Sequence, residues 1–239
     1  MKLFRLVPLF AAPALAKTTE LPSDGFASNQ VQMMGLLAAM AIVPFAIMML
    51  TSFSKIVVVL SMVRSALGTQ QAPPTMVITG LAAVLSATVM TPTMEKMWST
   101  GRDGWVENAD TASMVSQAGA VAQPLKDFLV KHGSAEERAR FVDLARELRP
   151  VGESGLVSDA DLSVIVPAFV ITELKEAFII GFLLFLPFLV LDMLIANVLL
   201  ALGMQTLSPS QVSLPFKILL FVAVDGWGLL SRGLILGYR

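Results

Sequence analysis

Two aspartates lie inside long apolar segments in the last quarter of the sequence, where an ionised carboxylate is costly. Asp192 lies in the apolar run 178–202, and Asp225 lies in the run 216–236. Each run is long enough to cross a hydrocarbon layer of about 30 Å. A carboxylate in the middle of such a helix costs roughly 2.5–3.5 kcal/mol on insertion scales. We therefore expect both carboxylates to pair with basic groups, to face an aqueous path or to be covered by protein.

Three functions fit such a pair of acids. Two carboxylates sharing a proton would suit an intramembrane aspartyl protease, although Asp225 lies in VDGW without a glycine-rich approach. Acids along an aqueous path would suit an ion- or proton-coupled transporter, although the two halves of the sequence show no inverted repeat. In the third interpretation each aspartate pairs with a basic side chain on a neighbouring helix, which fixes register and partner choice. The candidate bases are Lys55, Arg64, Lys175 and Lys217.

Residue types that other catalytic centres require are scarce. Cysteine is absent and His132 is the only histidine, so thiolate metal sites and HExxH chemistry are excluded. A net charge of −1 gives no reason to expect a nucleic-acid partner. We predict that the chain is not an enzyme and needs neither a metal nor a cofactor.

The composition is typical of a membrane-associated protein, because 55% of the residues are hydrophobic and only 15% are charged. Soluble domains average about 25% charged residues. A short segment at 51–68 is too apolar for an ordinary loop and carries Lys55 and Arg64 on opposite sides of one helix. Four other runs are predicted to span a membrane: 31–50, 76–94, 178–202 and 216–236.

Charge divides the sequence into five predicted segments. The first begins with Lys2 and Arg5 and ends in an Ala-Leu-Ala motif, as a cleavable signal peptide does. Cleavage would place the polar insertion, with its twelve acidic and eight basic residues, on the periplasmic side. The segments are a signal (1–16), a polar linker (17–30), an N-terminal apolar region (31–94), the polar insertion (95–161) and a C-terminal apolar hairpin region (162–239).

The polar insertion is predicted to be mostly helical. Ser134 and Glu137 have the spacing of a capping box, which predicts a helix that runs from there to Arg149 and ends at Pro150. We expect a small helical subdomain, or a loop that becomes ordered on a partner.

Three blocks of the sequence resemble the type III secretion export-gate family, which comprises flagellar FliP and its injectisome counterpart SctR. The blocks are TSFSKIVVVLSMVRSALGTQQAPP (51–74), ITELKEAFIIGFLLFLPFLVLDMLIANVLLALGM (171–204) and LSPSQVSLPFKILLFVAVDGW (207–227). With the apolar run 76–94 they cover well over half of the chain. The resemblance implies an all-α fold of membrane-associated helical hairpins that assemble into a helical oligomeric complex, much of it above the inner membrane.

The resemblance also implies a role in protein secretion. Copies of the chain would assemble with FliQ/SctS-type and FliR/SctT-type partners and with membrane lipid, and form the inner-membrane entrance for unfolded protein substrates. GTQQ at 68–71 and LSPSQVSLP at 207–215 favour the injectisome branch, whereas a cleavable signal is more usual on the flagellar side.

The resemblance assigns roles to individual positions. The gate loop of the family falls on Gly203, Met204, Gln205, Thr206 and Leu207, where many members have three consecutive methionines. Here only the first of these is methionine, so the predicted gate is more polar and its seal relies on Leu207 or on partner residues. Seven charged positions are interpreted as inter-helix or inter-subunit contacts: Lys55, Arg64, Glu173, Lys175, Asp192, Lys217 and Asp225.

Overall fold

The computed structural model describes residues 23–69, 72–104, 111–150, 157–204 and 206–239, and every regular element in these ranges is an α-helix. The prediction of an all-α fold is confirmed. The predicted signal at 1–16, the start of the predicted linker, Gln70 and Gln71 of GTQQ, and Gln205 of the predicted gate loop lie outside the described residues. The helices are α1 (Ser23–Met49), α2 (Phe53–Leu67), α3 (Thr75–Asp103), α4 (Thr111–His132), α5 (Ala135–Glu147), α6 (Leu162–Ala201), α7 (Pro209–Ala223) and α8 (Gly226–Leu236).

The chain forms two compact units, Met1–Pro44 and Phe45–Arg239. In the first unit the described residues belong to α1, and they expose apolar side chains such as Met33, Leu37 and Met40. The second unit contains α2 to α8 and the candidate site.

The forty-residue helix α6 organises the second unit, because it packs against α2, α4, α5 and α7. Its Val164 packs with α5, its Phe169 with α4, and its Ala177 with α2 and α3. Burial is concentrated before Gly181; beyond that residue only Phe188 and Leu199 of α6 are buried. The second half of α6 is therefore apolar and largely uncovered.

Close packing of α2 on α6 depends on a glycine. A Cβ atom at Gly181 would lie 2.3 Å from Sδ and 3.0 Å from Cβ of Met62 on α2. The absent side chain lets the two helices approach, and the buried face of α2, which includes Ile56, Val59 and Leu60, completes the contact.

The predicted capping box at the start of α5 forms only in part. The bond to the Ser134 hydroxyl is present, but the predicted return bond from the Glu137 carboxylate to the Ser134 amide is not, which corrects the sequence prediction. The Ser134 hydroxyl accepts a hydrogen bond from the amide of Glu136 (3.2 Å), as an N-cap residue does. The Glu137 carboxylate does not return to Ser134, because Arg140 (3.2 Å) and Lys175 of α6 (3.6 Å) attract it. The Ser134 amide instead donates to the Thr172 hydroxyl of α6 (3.0 Å).

Two helices among the described residues, α3 and α6, are long and apolar enough to cross a membrane. The helix α3 contains the predicted span 76–94, and α6 contains all of the predicted span 178–202 except its last residue. The predicted span 216–236 is not one straight helix, because the backbone of Asp225 is left-handed (φ 52°) and α7 and α8 differ in direction by 59°. That bent pair, and the bent pair of Met40–Met49 with α2, raise the number of candidate spans to four if each crosses as a unit.

Candidate functional site

The first charged cluster lies between α2 and α6. The Lys55 ammonium is 3.0 Å from Oε1 of Glu173 and 2.6 Å from Oε2 of Glu176. Residues three apart share one face of a helix, so one lysine meets both carboxylates. The side chains of Lys55 and Glu173 are only 6% and 0% exposed, which leaves the pair almost without solvent.

Tyr238, just after α8, closes this cluster. Its hydroxyl donates a hydrogen bond to Oε2 of Glu173, and the Lys55 ammonium lies 4.2 Å from the centroid of its ring. On α4, Phe128 stacks on the Tyr238 ring at 6.0 Å, and His132 meets it edge-on at 5.0 Å. Tyr238 therefore joins the C-terminal end of the chain to α4 through aromatic contacts, to α2 through a lysine–aromatic contact and to α6 through a hydrogen bond.

The second charged cluster joins α6, α7 and the end of α2. The Lys217 ammonium is 2.6 Å from Oδ2 of Asp192 and donates to the carbonyl oxygen of Ala66 (3.2 Å). The Ser213 hydroxyl donates to Oδ1 of Asp192 (2.5 Å). Both oxygens of Asp192 are therefore occupied by donors from α7, and the carboxylate binds Lys217 and Ser213 instead of a second acid.

The remaining predicted charged residues lie nearer to solvent. Arg64 donates to the Thr75 hydroxyl at the start of α3 (2.9 Å), and Lys175 is 3.6 Å from the Glu137 carboxylate of α5. Asp225 is exposed between α7 and α8 and forms no ion pair with another described residue. The structure thus gives the two apolar-segment acids different surroundings.

The predicted gate loop begins where α6 ends. Gly203 has a left-handed backbone (φ 73°). Its amide donates a hydrogen bond to the carbonyl oxygen of Leu200 (3.0 Å), and the amide of Met204 donates one to the carbonyl oxygen of Leu199 (2.9 Å). This pattern is a Schellman motif, which glycine favours because it has no Cβ atom. The side chains of Met204 and Leu207 are about half exposed, and Thr206 is exposed as well.

Three members of the first cluster were missed by sequence reasoning: Glu176, Tyr238 and His132. The spacing of Glu176 from Glu173 was a signal that both acids face the same neighbour. No comparable signal marks Tyr238, because its contacts depend on where α8 ends in space. Among the described residues, no three His, Asp or Glu side chains come together as metal ligands.

A cavity of about 500 Å³ lies between α6, α7 and α8. It is lined by apolar residues, among them Leu184, Phe188, Phe221 and Leu230. Its lining supplies no acid, base or nucleophile, so it offers contact area rather than chemistry.

Comparison with known proteins places the chain in a family. The protein-family model described as the FliP family matches residues 36–234, which includes both charged clusters except Tyr238. The chain belongs to the FliP family. The resemblance identified from the three sequence blocks is confirmed.

Relatives of this FliP-family chain include secretion and flagellar proteins. The hypersensitivity response secretion protein HrcR of Ralstonia nicotianae is 47% identical over 206 residues, covering 84% of this chain and 94% of the relative. The flagellar biosynthetic protein FliP of Bacillus subtilis is 41% identical over 209 residues (87% and 91%). The Yop proteins translocation protein R of Yersinia pestis is 39% identical over 212 residues (88% and 97%). Family membership therefore does not separate the flagellar branch from the injectisome branch.

Proposed function

We propose that this chain is a non-enzymatic core subunit of the type III secretion export gate in the bacterial inner membrane. Several copies assemble with FliQ/SctS-type and FliR/SctT-type subunits, with much of the complex facing the periplasm. The complex forms the entrance channel for unfolded protein substrates. The observation that carries the proposal is the uncovered apolar surface of the second half of α6, which ends at the predicted gate loop.

The uncovered surface of α6 is too apolar to face water. Beyond Gly181 the helix continues to Ala201, and only Phe188 and Leu199 of this part are buried inside the chain. Contiguous apolar patches of this extent mark a surface that a membrane or another protein covers. The exposed side chains are Phe182, Leu183, Leu186, Leu189, Val190, Met193, Leu194, Val198 and Leu200.

The position of the predicted gate loop supports a constriction. Met204 and Leu207 are exposed because the fold of one subunit does not use their side chains. When copies surround a common axis, these side chains meet and narrow the passage. Thr206 makes the constriction more polar than three methionines would, so Leu207 and partner residues complete the seal.

The charged residues divide by exposure into two roles. Four residues hold the helices of one subunit in register before it assembles: Lys55, Glu173 and Lys217 are buried, and Asp192, which pairs with Lys217, is partly exposed. The more accessible residues contact neighbouring subunits: Arg64, Lys175 and Asp225.

We place the complex in an injectisome, because the GTQQ and LSPSQVSLP motifs resemble that branch. Neighbouring genes test this assignment, since flagellar and injectisome genes cluster separately. Neighbours that encode flagellar rod, hook or filament proteins would overturn it.

A matched pair of substitutions tests the role of the apolar surface. Leu183 on α6 and Leu144 on α5 are 58% and 49% exposed, so glutamate fits at either position in the isolated chain. With both partner proteins co-expressed, we expect Leu183→Glu to prevent assembly, because it puts a charge into a covered apolar surface. Leu144→Glu, in the polar insertion, should assemble like the unmodified chain. Native mass spectrometry of purified complexes measures both outcomes.

Two results of this experiment contradict the proposal. One is an unmodified chain that remains a monomer when both partners are present. The other is a Leu183→Glu chain that assembles normally, which would move the interface away from α6. An assembled complex that carries ions but no polypeptide would favour a transporter instead.

A further inference from the structure

One titratable group lies where the polar insertion meets the apolar helices. His132 is the last residue of α4, and its ring contacts Phe128 at 4.6 Å and the edge of Tyr238 at 5.0 Å. Tyr238 is itself fixed by Glu173 of α6 and by Lys55 of α2. The end of α4 is therefore attached to a charged cluster through two aromatic rings.

The charges around His132 oppose a further positive charge. Lys131 on α4 and Lys55 on α2 act on the imidazole as cations, while Glu176 on α6 acts on it as an anion. Glu173 is already bound to Lys55 and Tyr238. A protonated His132 would be a third cation beside two acids that are already engaged.

We propose that His132 is a pH-sensitive joint: the neutral imidazole holds the end of α4 against Tyr238, and protonation loosens α4 from α2 and α6. His132 itself lies on α4, outside the candidate membrane spans, and its side chain is partly exposed, so the pH of the surrounding solution can reach it. Acidification on that side would change how the polar insertion is held without changing the apolar helices.

The direction of the pH effect follows from the surroundings of the imidazole. Partial burial, followed by the charges of Lys131 and Lys55, lowers the pKa of His132 from 6.5 to about 4. The unfolded chain therefore binds a proton more readily than the folded chain between these two pH values. The contribution of His132 to the free energy of unfolding is fully present above about pH 6.5, and it is lost as the pH falls towards about 4.

Hydrogen exchange of the full chain in lipid nanodiscs tests the joint. We expect amides near the end of α4, corrected for intrinsic exchange, to exchange about tenfold faster at about pH 4.5 than at about pH 7. His132→Gln keeps a polar side chain but cannot titrate, so its exchange should change much less between the two pH values. Lys126→Gln on the same helix should behave like the unmodified chain. An identical pH response in His132→Gln and the unmodified chain would overturn the proposal.

A titration keeps the test valid if His132→Gln does not fold. His132 is the only histidine in the sequence, so its NMR signal in a histidine-labelled chain is unambiguous. We expect its measured pKa to lie below 5.5, at least one unit under the ordinary value. Lys131→Gln should raise it, because one opposing charge is removed. A pKa near 6.5 that does not change in the Lys131→Gln chain would show that the charged cluster does not act on the imidazole, and it would overturn the proposal.

Discussion

Lys217 and Lys55 show how single residues shape this subunit. Both ammonium groups are buried, and each meets a carboxylate of α6 at hydrogen-bonding distance. A buried ion pair adds little net stability over an apolar pair of the same size, but removing one partner leaves an uncompensated charge. The two lysines therefore fix which helices lie together more than they raise the total stability.

Lys217→Ala should strongly destabilise the chain. Among the described residues, it leaves the Asp192 carboxylate with Ser213 as its only side-chain donor, and it removes the hydrogen bond to the carbonyl oxygen of Ala66. Because Asp192 retains some contact with solvent, we expect a loss of about 3 kcal/mol, at the low end for a broken buried pair. Thermal or denaturant unfolding in detergent measures the loss.

The matched control for Lys217→Ala is Lys175→Ala. Lys175 also makes an ion pair, but its side chain is 56% exposed, so its removal should cost less than about 1 kcal/mol. If both variants lose the same free energy of unfolding, the buried pair of Lys217 with Asp192 contributes no more than an exposed ion pair, which contradicts this prediction.

At the scale of helices, glycines and one aspartate decide where elements end and how closely they pack. Gly203 ends α6 in a left-handed turn, and Asp225 adopts the same backbone region between α7 and α8. Gly181 instead lies inside α6, where its missing side chain admits Met62 of α2. Helix propensity alone disfavours a glycine at that position, so packing outweighs propensity there.

Gly181→Ala and Gly80→Ala should change stability in opposite directions. Alanine favours a helix by roughly 0.5–1 kcal/mol over glycine. A Cβ atom at Gly80 on α3 would meet no atom within 4 Å, so Gly80→Ala should stabilise the isolated chain. At Gly181 the new Cβ meets Met62, including its Cβ, and the crowding should cost about 1–3 kcal/mol. Unfolding midpoints of the two variants measure the difference. A stabilised Gly181→Ala chain would contradict the close approach of α2 and α6.

At the scale of the whole molecule, the second unit covers one part of its apolar surface and leaves another part open. The covered part lies around the first half of α6, where α2, α4 and α5 pack. The open part includes the second half of α6, several residues of α7 and α8, and the predicted gate loop. An exposed apolar surface of this extent marks a face that a membrane or another protein covers.

Cysteine placed in the gate loop should report the assembly. The natural sequence has no cysteine, so one introduced thiol has no competing partner. We expect Met204→Cys to form disulfides between copies in the assembled complex, because the proposed gate would bring these loops together at one constriction. Leu148→Cys on the polar insertion, at a side chain that is 86% exposed, should not cross-link. Non-reducing electrophoresis measures both, and cross-linking at 148 but not at 204 would contradict a shared gate.

The sequence predicted some local features and not others, for identifiable reasons. The start of α5 at Ser134 was predictable, because an N-cap is a local interaction. The reciprocal bond of Glu137 was not, because Lys175 of another helix competes for the carboxylate. The break at Asp225 was also missed, since hydrophobic content measures the length of an apolar run and not its continuity as a helix.

By itself the sequence determined the apolar runs through composition and the family through its ordered blocks, and the resemblance to that family implied the all-α class. It also marked Asp192 and Lys217 as charges that require partners. Only the tertiary structure decided which groups meet: Asp192 with Lys217, and Lys55 with Glu173, Glu176 and Tyr238. These partners are far apart along the chain, so their pairing depends on how α2, α7 and the end of α8 pack around α6. For that reason Asp225, which looks equivalent to Asp192 in the sequence, has a different environment in the fold.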